Sequence, residues 1–515
     1  MNEYGFSGIT SKLLIARKKT EKWQIDSFLN DNLNDLHNPA LIPGIDKIKK
    51  RIMEHVSFGS KIAVAFDMDT DGVSSGSIMY KVLKRLNANV FYQSSDRHRD
   101  GYGTSKESID MMKEKGAGLI IMLDFGISEK ENIKYAQSLG IDVIVLDHHD
   151  HEDPPDCLFI DLKVEKGLYP FGVYSAAGLT WKVCQYLLND NLYDLLDIAT
   201  ISTVGDLVPL YGENRVIVKE GLKRIKNTKN IGLQELMRIN GLLGKDISSG
   251  NIGFQLSPCI NAHQRLKFNN NKSLELLTTN DVKIARKIAQ ELNELNEKRK
   301  KITKIALGVV KGKINPDDNI IIIQGDFPSG VVGLIAGDIT QEYNKPSIVF
   351  GTPVNGSCKG SARSVRPLSI RDALMASDLL ESKGGHKMAA GCAIKKENIS
   401  AFKKQMLNYT KDIEYETIKY DMELDTKEIN MKLVKELELF QPTGMGNANP
   451  KFLFQGKMTD EKVLKEKHLK FKLDGIDCIA FNCVENGWND TFIGSLGINE
   501  WAGKKTIQIM VRRFL

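Results

Sequence analysis

Three short apolar runs in the first third of the chain each end on an aspartate, and this feature constrains the fold more than any other. The runs and the residues that follow them are Ile62–Phe66 with Asp67, Leu119–Leu123 with Asp124, and Val143–Leu146 with Asp147. Runs that are apolar at every position are typical of strands buried on both faces of a parallel sheet. Helix-like stretches lie between them, near Ser75–Leu86 and Lys130–Leu139. The alternation predicts an α/β domain of βαβ units.

The three aspartates are expected to lie together, because parallel strands present their carboxyl ends at one edge of the sheet. The first of them opens the segment DMDTDG at 67–72, with carboxylates at alternate positions. Carboxylates this close repel one another unless cations neutralise them, and oxygen ligands suit Mg²⁺ or Mn²⁺. A solvated acidic turn is the alternative. A calcium EF-hand loop is excluded, because its twelfth position is Ile78 instead of Glu and a strand precedes it.

The third strand continues as DHHDH at 147–151, which holds three of the nine histidines. Imidazole beside carboxylates shifts the metal preference toward Mn²⁺ or another transition metal. The pattern favours a ligand role for His148 and His149 and a loop position for His151. Two ions a few ångströms apart would stabilise both the attacking water and the leaving oxygen of a phosphodiester. Peptides and activated esters can be hydrolysed with similar metals, so the acidic cluster leaves the substrate open.

The chain of 515 residues is too long for one core. Helical spacing without proline from about Asn280 to Lys311 predicts a long connecting helix, followed by a second α/β segment and then by short alternating runs typical of a small β-barrel. The predicted divisions are an N-terminal helical extension at 1–50, an α/β domain at 51–230, connecting helices at 231–312, a smaller α/β domain at 313–412 and a β-barrel at 413–515.

Composition narrows the partners and the compartment. A formal net charge of +6 permits a nucleic-acid partner without establishing one. The seven cysteines form no CxxC pair, which argues against a zinc site or a disulfide framework. The sequence has no secretory signal pattern and no apolar run of about 18 residues. We therefore expect a cytoplasmic protein that acts on soluble material and has no membrane partner.

Four segments follow the order of the motifs that define the DHH phosphoesterases. They are DMDTDG at 67–72, LDFGIS at 123–128, DHH at 147–149 and GDLVP at 205–209. A further series resembles the RecJ family of single-strand-specific exonucleases and covers about Gly59 to the C-terminus. It comprises RHRDGYG at 97–103, FQLSPCINAHQRL at 254–266, GVVGL at 330–334, GSARS at 360–364, GGHKMAAG at 384–391, QPTGMGNANP at 441–450 and GINEWAG at 497–503.

This resemblance implies an α/β fold in which a parallel-sheet DHH domain is joined by a long helix to a smaller α/β DHHA1 domain, followed by a β-barrel OB-fold. It implies 5′→3′ hydrolysis of single-stranded DNA to 5′-mononucleotides with two Mn²⁺ or Mg²⁺ ions, in DNA repair, recombination or replication. It also implies a monomer, with a helicase or a single-strand-binding protein as a further partner. The alternatives are a phosphodiesterase for short oligonucleotides or cyclic dinucleotides, and a non-catalytic DNA-binding subunit, which should have lost a ligand.

The resemblance also assigns residues by position. The implied metal ligands are Asp67, Asp69, Asp71, Asp124, His148 and Asp206. Asp124 would bridge the two ions and His149 would sit over the scissile phosphate, which makes these two the catalytic pair. The implied nucleic-acid-binding residues are Arg97, Arg265, Ser361, Arg363, Gly384, Gly385 and His386. The planar guanidinium matches phosphate, and we expect the three arginines in loops that contain glycine or serine.

Four positions depart from the family pattern. The family usually has Arg where Cys259 stands and Gly where Gln264 stands. It usually has Trp-His where this chain has Phe327 and Pro328. We therefore predict a weaker or differently placed phosphate clamp beside an intact metal set.

Overall fold

The first domain is built on a five-stranded sheet in which every pair of neighbouring strands is parallel. The structure is a computed structural model that describes residues 2–96, 100, 103–151, 153–164, 167–267, 269–417, 419–483, 487–501 and 503–515. The strands, in the order β2-β1-β3-β4-β5 across the sheet, are β1 (Lys61–Phe66), β2 (Val90–Ser94), β3 (Ala117–Leu123), β4 (Asp142–Leu146) and β5 (Leu158–Ile160). The parallel α/β domain predicted from the sequence is confirmed.

Helices cover both faces of this sheet, which explains why its strands are apolar at every position. On β1, Ile62, Val64 and Phe66 face one core, whereas Ala63 and Ala65 face another. The helices up to this domain's end are α1 (Gly8–Ala16), α2 (Lys22–Asn30), α3 (Ile45–Ser57), α4 (Thr70–Arg85), α5 (Lys106–Glu114), α6 (Lys130–Ser138), α7 (Ala176–Leu188), α8 (Leu196–Gly205) and α9 (Gly212–Ile225).

A run of helices then leads to the second domain. They are α10 (Ile231–Ile239), α11 (Ser249–Asn251), α12 (Ser257–Ile260), α13 (Ala262–Lys267), α14 (Asn271–Thr278) and α15 (Val282–Lys311). The α15 helix is the predicted long helix; it has 30 residues and begins at the cap residue Asp281, whose side chain accepts hydrogen bonds from two backbone N–H groups. Its first half buries Ile288 and Leu292 in the core of the first domain, and its last turns bury Ala306 and Val310 in a core of the second.

The second domain is a mixed five-stranded sheet with helices α16 (Val332–Tyr343), α17 (Ile370–Met375) and α18 (Ile399–Thr410). Its strands, in the order β6-β7-β8-β10-β9, are β6 (Ile321–Gln324), β7 (Ser347–Phe350), β8 (Ser357–Arg363), β9 (Leu380–Gly385) and β10 (Ala389–Lys395). Only β6 and β7 pair in parallel among the strand pairs described for this sheet. β9 stands last in the strand order and is therefore an edge strand.

The C-terminal region forms a seven-stranded sheet with the short helix α19 (Met431–Glu438). In the order β11-β12-β16-β17-β15-β14-β13, its strands are β11 (Met422–Glu423), β12 (Phe452–Gln455), β13 (Met458–Leu464), β14 (His468–Leu473), β15 (Ile476–Ala480), β16 (Thr491–Trp501) and β17 (Lys504–Phe514). The amino-terminal helices α1 and α2 pack into the same core through residues such as Leu13 and Phe28. The two ends of the chain thus share one core.

Arg215 of α9 joins the first domain to this C-terminal region. Its guanidinium donates to the carbonyl oxygens of Leu439, Phe440, Gln441 and Pro442 at 2.7–3.3 Å. The side chain is buried, so these contacts replace water around a full charge. Among the residues that the structure describes, no helix has the length and apolar character needed to cross a membrane.

Candidate metal centre and nucleic-acid surface

The aspartates that follow three neighbouring strands lie side by side at one edge of the sheet. Strand pairing continues one residue past the strand ends: the N–H of Asp67 donates to the carbonyl of Leu123 at 3.2 Å, and that of Asp124 donates to the carbonyl of Leu146 at 3.1 Å. Asp147 extends β4 in the same way. The three carboxylates therefore line a single rim, as parallel topology requires.

Two more aspartates reach this rim from the start of α4. Asp69 caps the helix, and its carboxylate accepts hydrogen bonds from the N–H groups of Asp71 (2.8 Å) and Gly72 (3.1 Å). The positive end of the helix dipole favours negative charge here. A Cβ on Gly72 would lie 2.1 Å from the carbonyl oxygen of Asp67, so only glycine allows the helix to begin this close to the strand.

Asp71 is the most enclosed of the predicted ligands. Its oxygens accept hydrogen bonds from the N–H groups of Ala176 (2.7 Å) and Ala177 (2.8 Å) at the start of α7, and from the Ser202 hydroxyl (2.5 Å). Burial and the nearby charge of Asp69 raise the pKa of Asp71 to about 6, although these hydrogen bonds lower it. Asp71 thus both faces the rim and fixes α7 and α8 around it.

His148 presents one ring nitrogen to several carboxylates. Its Nδ1 lies 2.9 Å from the carbonyl oxygen of Tyr174, which can only accept, so Nδ1 carries the proton. Nε2 lies 3.2 Å from Asp124, 3.6 Å from Asp71 and 3.7 Å from Asp206. Burial, followed by the charge of His149, lowers the pKa of His148 to about 3. A neutral Nε2 faces carboxylate oxygens with its lone pair, which is a repulsive contact unless a cation lies between them.

Asp147 holds the second histidine in place. Its Oδ1 accepts the Nδ1–H of His149 at 2.7 Å, and its Oδ2 accepts the N–H of Ile127 at 3.1 Å. Burial alone would raise the pKa of Asp147, but the hydrogen bond and the charge of His149 lower it to about 2. Conversely, burial would lower the pKa of His149, and the hydrogen bond to Asp147 raises it. Asp147 was predicted only as a rim carboxylate, and its observed role is to orient His149.

The rim offers three sets of ligand atoms that lie within 4.8 Å of one another. The sets are Asp67, Asp69 and Asp124; Asp71, His148 and Asp206; and Asp124, His148 and His149. Burial and the neighbouring aspartates, Asp71 first, raise the pKa of Asp124 well above its usual value, and the same causes act on Asp206. Buried carboxylates that repel one another in this way fit two adjacent divalent cations that share Asp124.

A separate group of predicted residues meets at one end of the sheet in the second domain. Arg363, the last residue of β8, donates from Nη1 to the Ser361 hydroxyl (3.0 Å) and to the carbonyl of Ala362 (2.9 Å). A Cβ on Gly333, in the first turn of α16, would lie 3.0 Å from Ser361 Oγ and 3.2 Å from Arg363 Nη2. A helix start beside a guanidinium is a favourable place for phosphate.

Gly384, Gly385 and His386 lie at the same end of that sheet, at the exposed end of the edge strand β9. Arg363 pairs with Ala389 of β10, and Gly385 pairs with Ala390 on the other side of the same strand. Arg363 and Gly385 are thus two strands apart, or about 10 Å. Gly385 has φ +130°, and a Cβ there would lie 2.6 Å from the Cα of Ala390, which accounts for glycine at this position.

Two of the predicted loop positions are wrong, and one cannot be described. Arg265 lies in helix α13, where its Nη1 donates to the carbonyl of Gly330 at 3.3 Å, and Arg363 lies in a strand. A Cβ on Gly330 would lie 2.1 Å from the carbonyl oxygen of Arg265, so the two domains are in close contact there. Arg97 lies outside the described residues.

Comparison with known proteins now adds to this geometry. Three family models match in chain order: "DHH family, N-terminal domain" at residues 61–205, "DHHA1 domain" at 317–412 and "RecJ OB domain" at 420–513. The single-stranded-DNA-specific exonuclease RecJ of Bacillus subtilis is 31% identical over 533 aligned residues, covering 98% of this chain and 67% of the relative.

The chain belongs to the RecJ family. The RecJ of Thermus thermophilus is 32% identical over 463 residues, covering 87% of this chain and 67% of the relative. A crystal structure of the Thermus thermophilus RecJ in complex with Mn²⁺ superposes with a TM-score of 0.85 at 26% identity, covering 98% of this chain and 75% of that one. The corresponding Mg²⁺ complex gives a TM-score of 0.79. The predicted arrangement of DHH, DHHA1 and OB domains is confirmed. The two Thermus thermophilus structures contain Mn²⁺ and Mg²⁺, the two ions that the sequence predicts for this chain.

Three of the four departures from the RecJ pattern fall on buried side chains, and the fourth, Pro328, is exposed. Cys259 is fully buried, with its Sγ 3.3 Å from Nδ2 of Asn296 on α15, and Gln264 and Phe327 are buried as well. A buried thiol or phenyl ring presents no group to a phosphate at the surface. The predicted change in phosphate binding stays a prediction. It depends on the arginine and the histidine that the family usually has at these positions and that this chain lacks.

Proposed function

We propose that this chain removes nucleotides from the 5′ end of single-stranded DNA and releases 5′-mononucleotides, with two Mn²⁺ or Mg²⁺ ions at the rim of the DHH domain. The observation that carries the proposal is the convergence of Asp67, Asp69, Asp124, His148 and Asp206 from separate strands and helices. Asp71 belongs to the same predicted ligand set. The RecJ relatives are named single-stranded-DNA-specific exonucleases, which supports single-stranded DNA as the substrate.

The rim residues divide the work of the reaction. Asp67, Asp69 and Asp124 would hold one ion, and Asp71, Asp124, His148 and Asp206 the other. Bound there, the two ions would supply charge stabilisation for the attacking water and for the leaving oxygen. The Tyr174 carbonyl keeps the His148 proton on Nδ1, so that Nε2 faces the metal position. Asp147 favours a protonated His149, and we propose that the Nε2–H of His149 contacts a non-bridging oxygen of the scissile phosphate.

The end of the DHHA1 sheet supports the proposed 5′→3′ direction of hydrolysis, because it offers groups that can bind a 5′ phosphate. Ser361, Arg363 and the first turn of α16 bring a hydroxyl, a guanidinium and backbone N–H groups together. With Gly384, Gly385 and His386 nearby, this surface would bind the backbone and the 5′ phosphate of the strand. Arg97 and Arg265 complete the predicted nucleic-acid-binding set.

The same proposal includes a cellular setting. A single-strand exonuclease acts where unpaired DNA arises, in repair, recombination or replication. We therefore propose a monomer in the cytoplasm that works with a helicase or a single-strand-binding protein. Co-sedimentation with each class of partner on tailed duplexes would test this part separately from hydrolysis.

A degradation assay tests the central claim. Strands labelled at either end are incubated with Mn²⁺, and the 5′ label is expected to appear first as a mononucleotide while the 3′-labelled strand shortens gradually. RNA, blunt duplex, a 5′-hydroxyl strand and a dinucleotide are run in parallel. Only internal cuts, or equal turnover of blunt duplex, would contradict the proposal, and fast turnover confined to the dinucleotide would favour the short-oligonucleotide alternative.

A further inference from the structure

Three segments beside the metal rim each put a large apolar side chain into solvent. Leu207 is 63% exposed, Phe254 is 83% exposed and Met445 is 53% exposed. They belong to the motifs GDLVP, FQLSPCINAHQRL and QPTGMGNANP, whose apolar members have no part in metal or phosphate binding. Exposed apolar side chains gathered in one place mark binding surfaces in soluble proteins.

The segments of Leu207 and Phe254 are in direct contact. A Cβ on Gly205 would lie 2.8 Å from the hydroxyl of Ser257, which is one helical turn after Phe254. A Cβ on Gly253 would lie 4.0 Å from a methyl group of Val204. These contacts bring the two segments that carry Leu207 and Phe254 together.

The C-terminal segment joins the same junction. The N–H of Leu210 donates to the carbonyl of Met445 at 2.7 Å, and the Ser249 hydroxyl donates to the carbonyl of Thr443 at 2.6 Å. The loop that carries Met445 therefore touches residues next to both other segments. The contacts among the three segments join parts of the chain that are far apart in sequence, so the surface exists only in the folded protein.

Leu207 connects this surface to the metal rim. It follows Asp206 directly, and Asp206 Oδ2 lies 3.7 Å from Nε2 of His148. Leu207 has φ +59°, a left-handed conformation that is unfavourable for a residue other than glycine. Phe254 lies on a π-helical turn at Ile252–Leu256, a distortion found most often at functional sites. Both exposed apolar side chains thus lie on segments with unusual backbone conformations.

We infer that Leu207, Phe254 and Met445 form a stacking platform for unpaired nucleobases next to the scissile phosphodiester. This inference rests on the proposed function, because bases reach the surface only if their backbone lies at the rim. Every base has an apolar face, so stacking on such a platform binds a single strand without reading its sequence. Paired bases in a duplex have their faces covered, so the platform also contributes to selection against duplex.

The platform is tested by removing the aromatic ring and, separately, the bases. Phe254→Ala is compared with wild type on ordinary strands and on strands whose first residues at the 5′ end are abasic. With ordinary strands, loss of one stacked base is expected to raise KM about tenfold. With abasic strands the two proteins should have equal KM, and Phe254→Trp should restore wild-type KM on ordinary strands. Met445→Ala should give the same pattern with a smaller change.

Phe58→Ala is the matched control, because Phe58 is 82% exposed. It lies at the end of α3, just before β1 begins, and so at the end of the same sheet opposite to the metal rim. It should behave as wild type on every strand. If wild type degrades strands but Phe254→Ala equals it on both strand types, the platform is overturned while the exonuclease assignment stands. If Phe254→Ala instead abolishes self-association of the wild-type protein, the surface binds a second copy and the inference is wrong. A wild type inactive on all single strands would overturn the proposed function and this inference together.

Discussion

The metal rim of the first domain and the phosphate surface of the second are built in opposite ways. At the rim, Asp71 and Asp147 are almost completely buried and their oxygens are fixed by backbone N–H groups and hydroxyls. On the DHHA1 sheet, Gly384, Gly385 and His386 are exposed at an edge strand. The comparison teaches that the proposed reacting centre is pre-organised, whereas the surface proposed to bind the strand remains open to solvent.

The largest effect is expected from the carboxylate shared by two ligand sets. Asp124 has φ +67°, a conformation that Asn tolerates better than Ala, so Asp124→Asn removes the charge while keeping the backbone. We expect hydrolysis to fall about a thousandfold, with near-normal binding of single strands. Gel shift and steady-state turnover measure the two quantities. Asp197→Asn, which changes a buried carboxylate of α8 outside the ligand sets, should retain turnover per folded molecule.

The first domain depends for stability on its contact with the C-terminal region, and Arg215 tests that dependence. Arg215→Ala removes the guanidinium from four carbonyl oxygens and from the carboxylate of Asp31, 3.1 Å from Nε, which keeps its ion pair with Lys219. Removing one partner of a buried charge typically costs about 3–5 kcal/mol, so a clear fall in the unfolding midpoint is expected. Arg238→Ala, at a more exposed pair with Glu235, should change the midpoint little. Equal unfolding midpoints for the two variants would show that the Arg215 contact does not stabilise the junction between the domains.

A smaller effect is expected on the open surface. Arg363→Ala should raise KM for long strands about tenfold to a hundredfold and leave kcat nearly unchanged, because the guanidinium binds substrate away from the reacting atoms. Arg363→Lys keeps the charge but not the fork, and should recover part of the loss. Arg371→Ala, an exposed arginine of α17, is the control. A fall in kcat at constant KM would place Arg363 at the rim instead.

The smallest effect concerns a carboxylate beyond the rim. Glu129 accepts hydrogen bonds from Thr104 and Asn132, and burial raises its pKa to about 7. Its contribution to stability is therefore present below about pH 4.5 and is lost as the pH rises through about 7. Glu129→Gln cannot ionise, and should unfold about 3 °C higher than wild type at pH 8 but at a similar temperature at pH 5. Glu131→Gln, exposed on the same helix, should show no such pH dependence.

Much of the rim could be predicted from the sequence because its geometry follows from strand topology. Asp67 and Asp124 follow apolar runs, and parallel strands place such residues together. The sequence did not separate the roles of Asp71 and Asp147, because their hydrogen-bond partners, such as Ala176, Ser202 and Ile127, come from other parts of the fold.

The DHHA1 surface was harder to predict for a different reason. The segment GSARS reads as a loop because glycine and serine are common in turns, yet it forms a strand whose partner is supplied by β10. The position of Arg265 in a helix was missed for a similar reason, since local composition outweighed the periodicity. The junction of Leu207, Phe254 and Met445 has no local signal, because it forms only through contacts between three distant motifs.

The long helix α15 has a mechanical consequence. At 1.5 Å per residue its 30 residues span about 45 Å, and its two ends are embedded in different cores. Swinging the domains apart would expose Leu292 or Val310 to water, so α15 holds the proposed cleavage site and the proposed strand-binding surface at a fixed separation. A DNA strand should therefore enter by passing its free end between the two domains. A circular single strand has no free end, and we expect it not to be degraded.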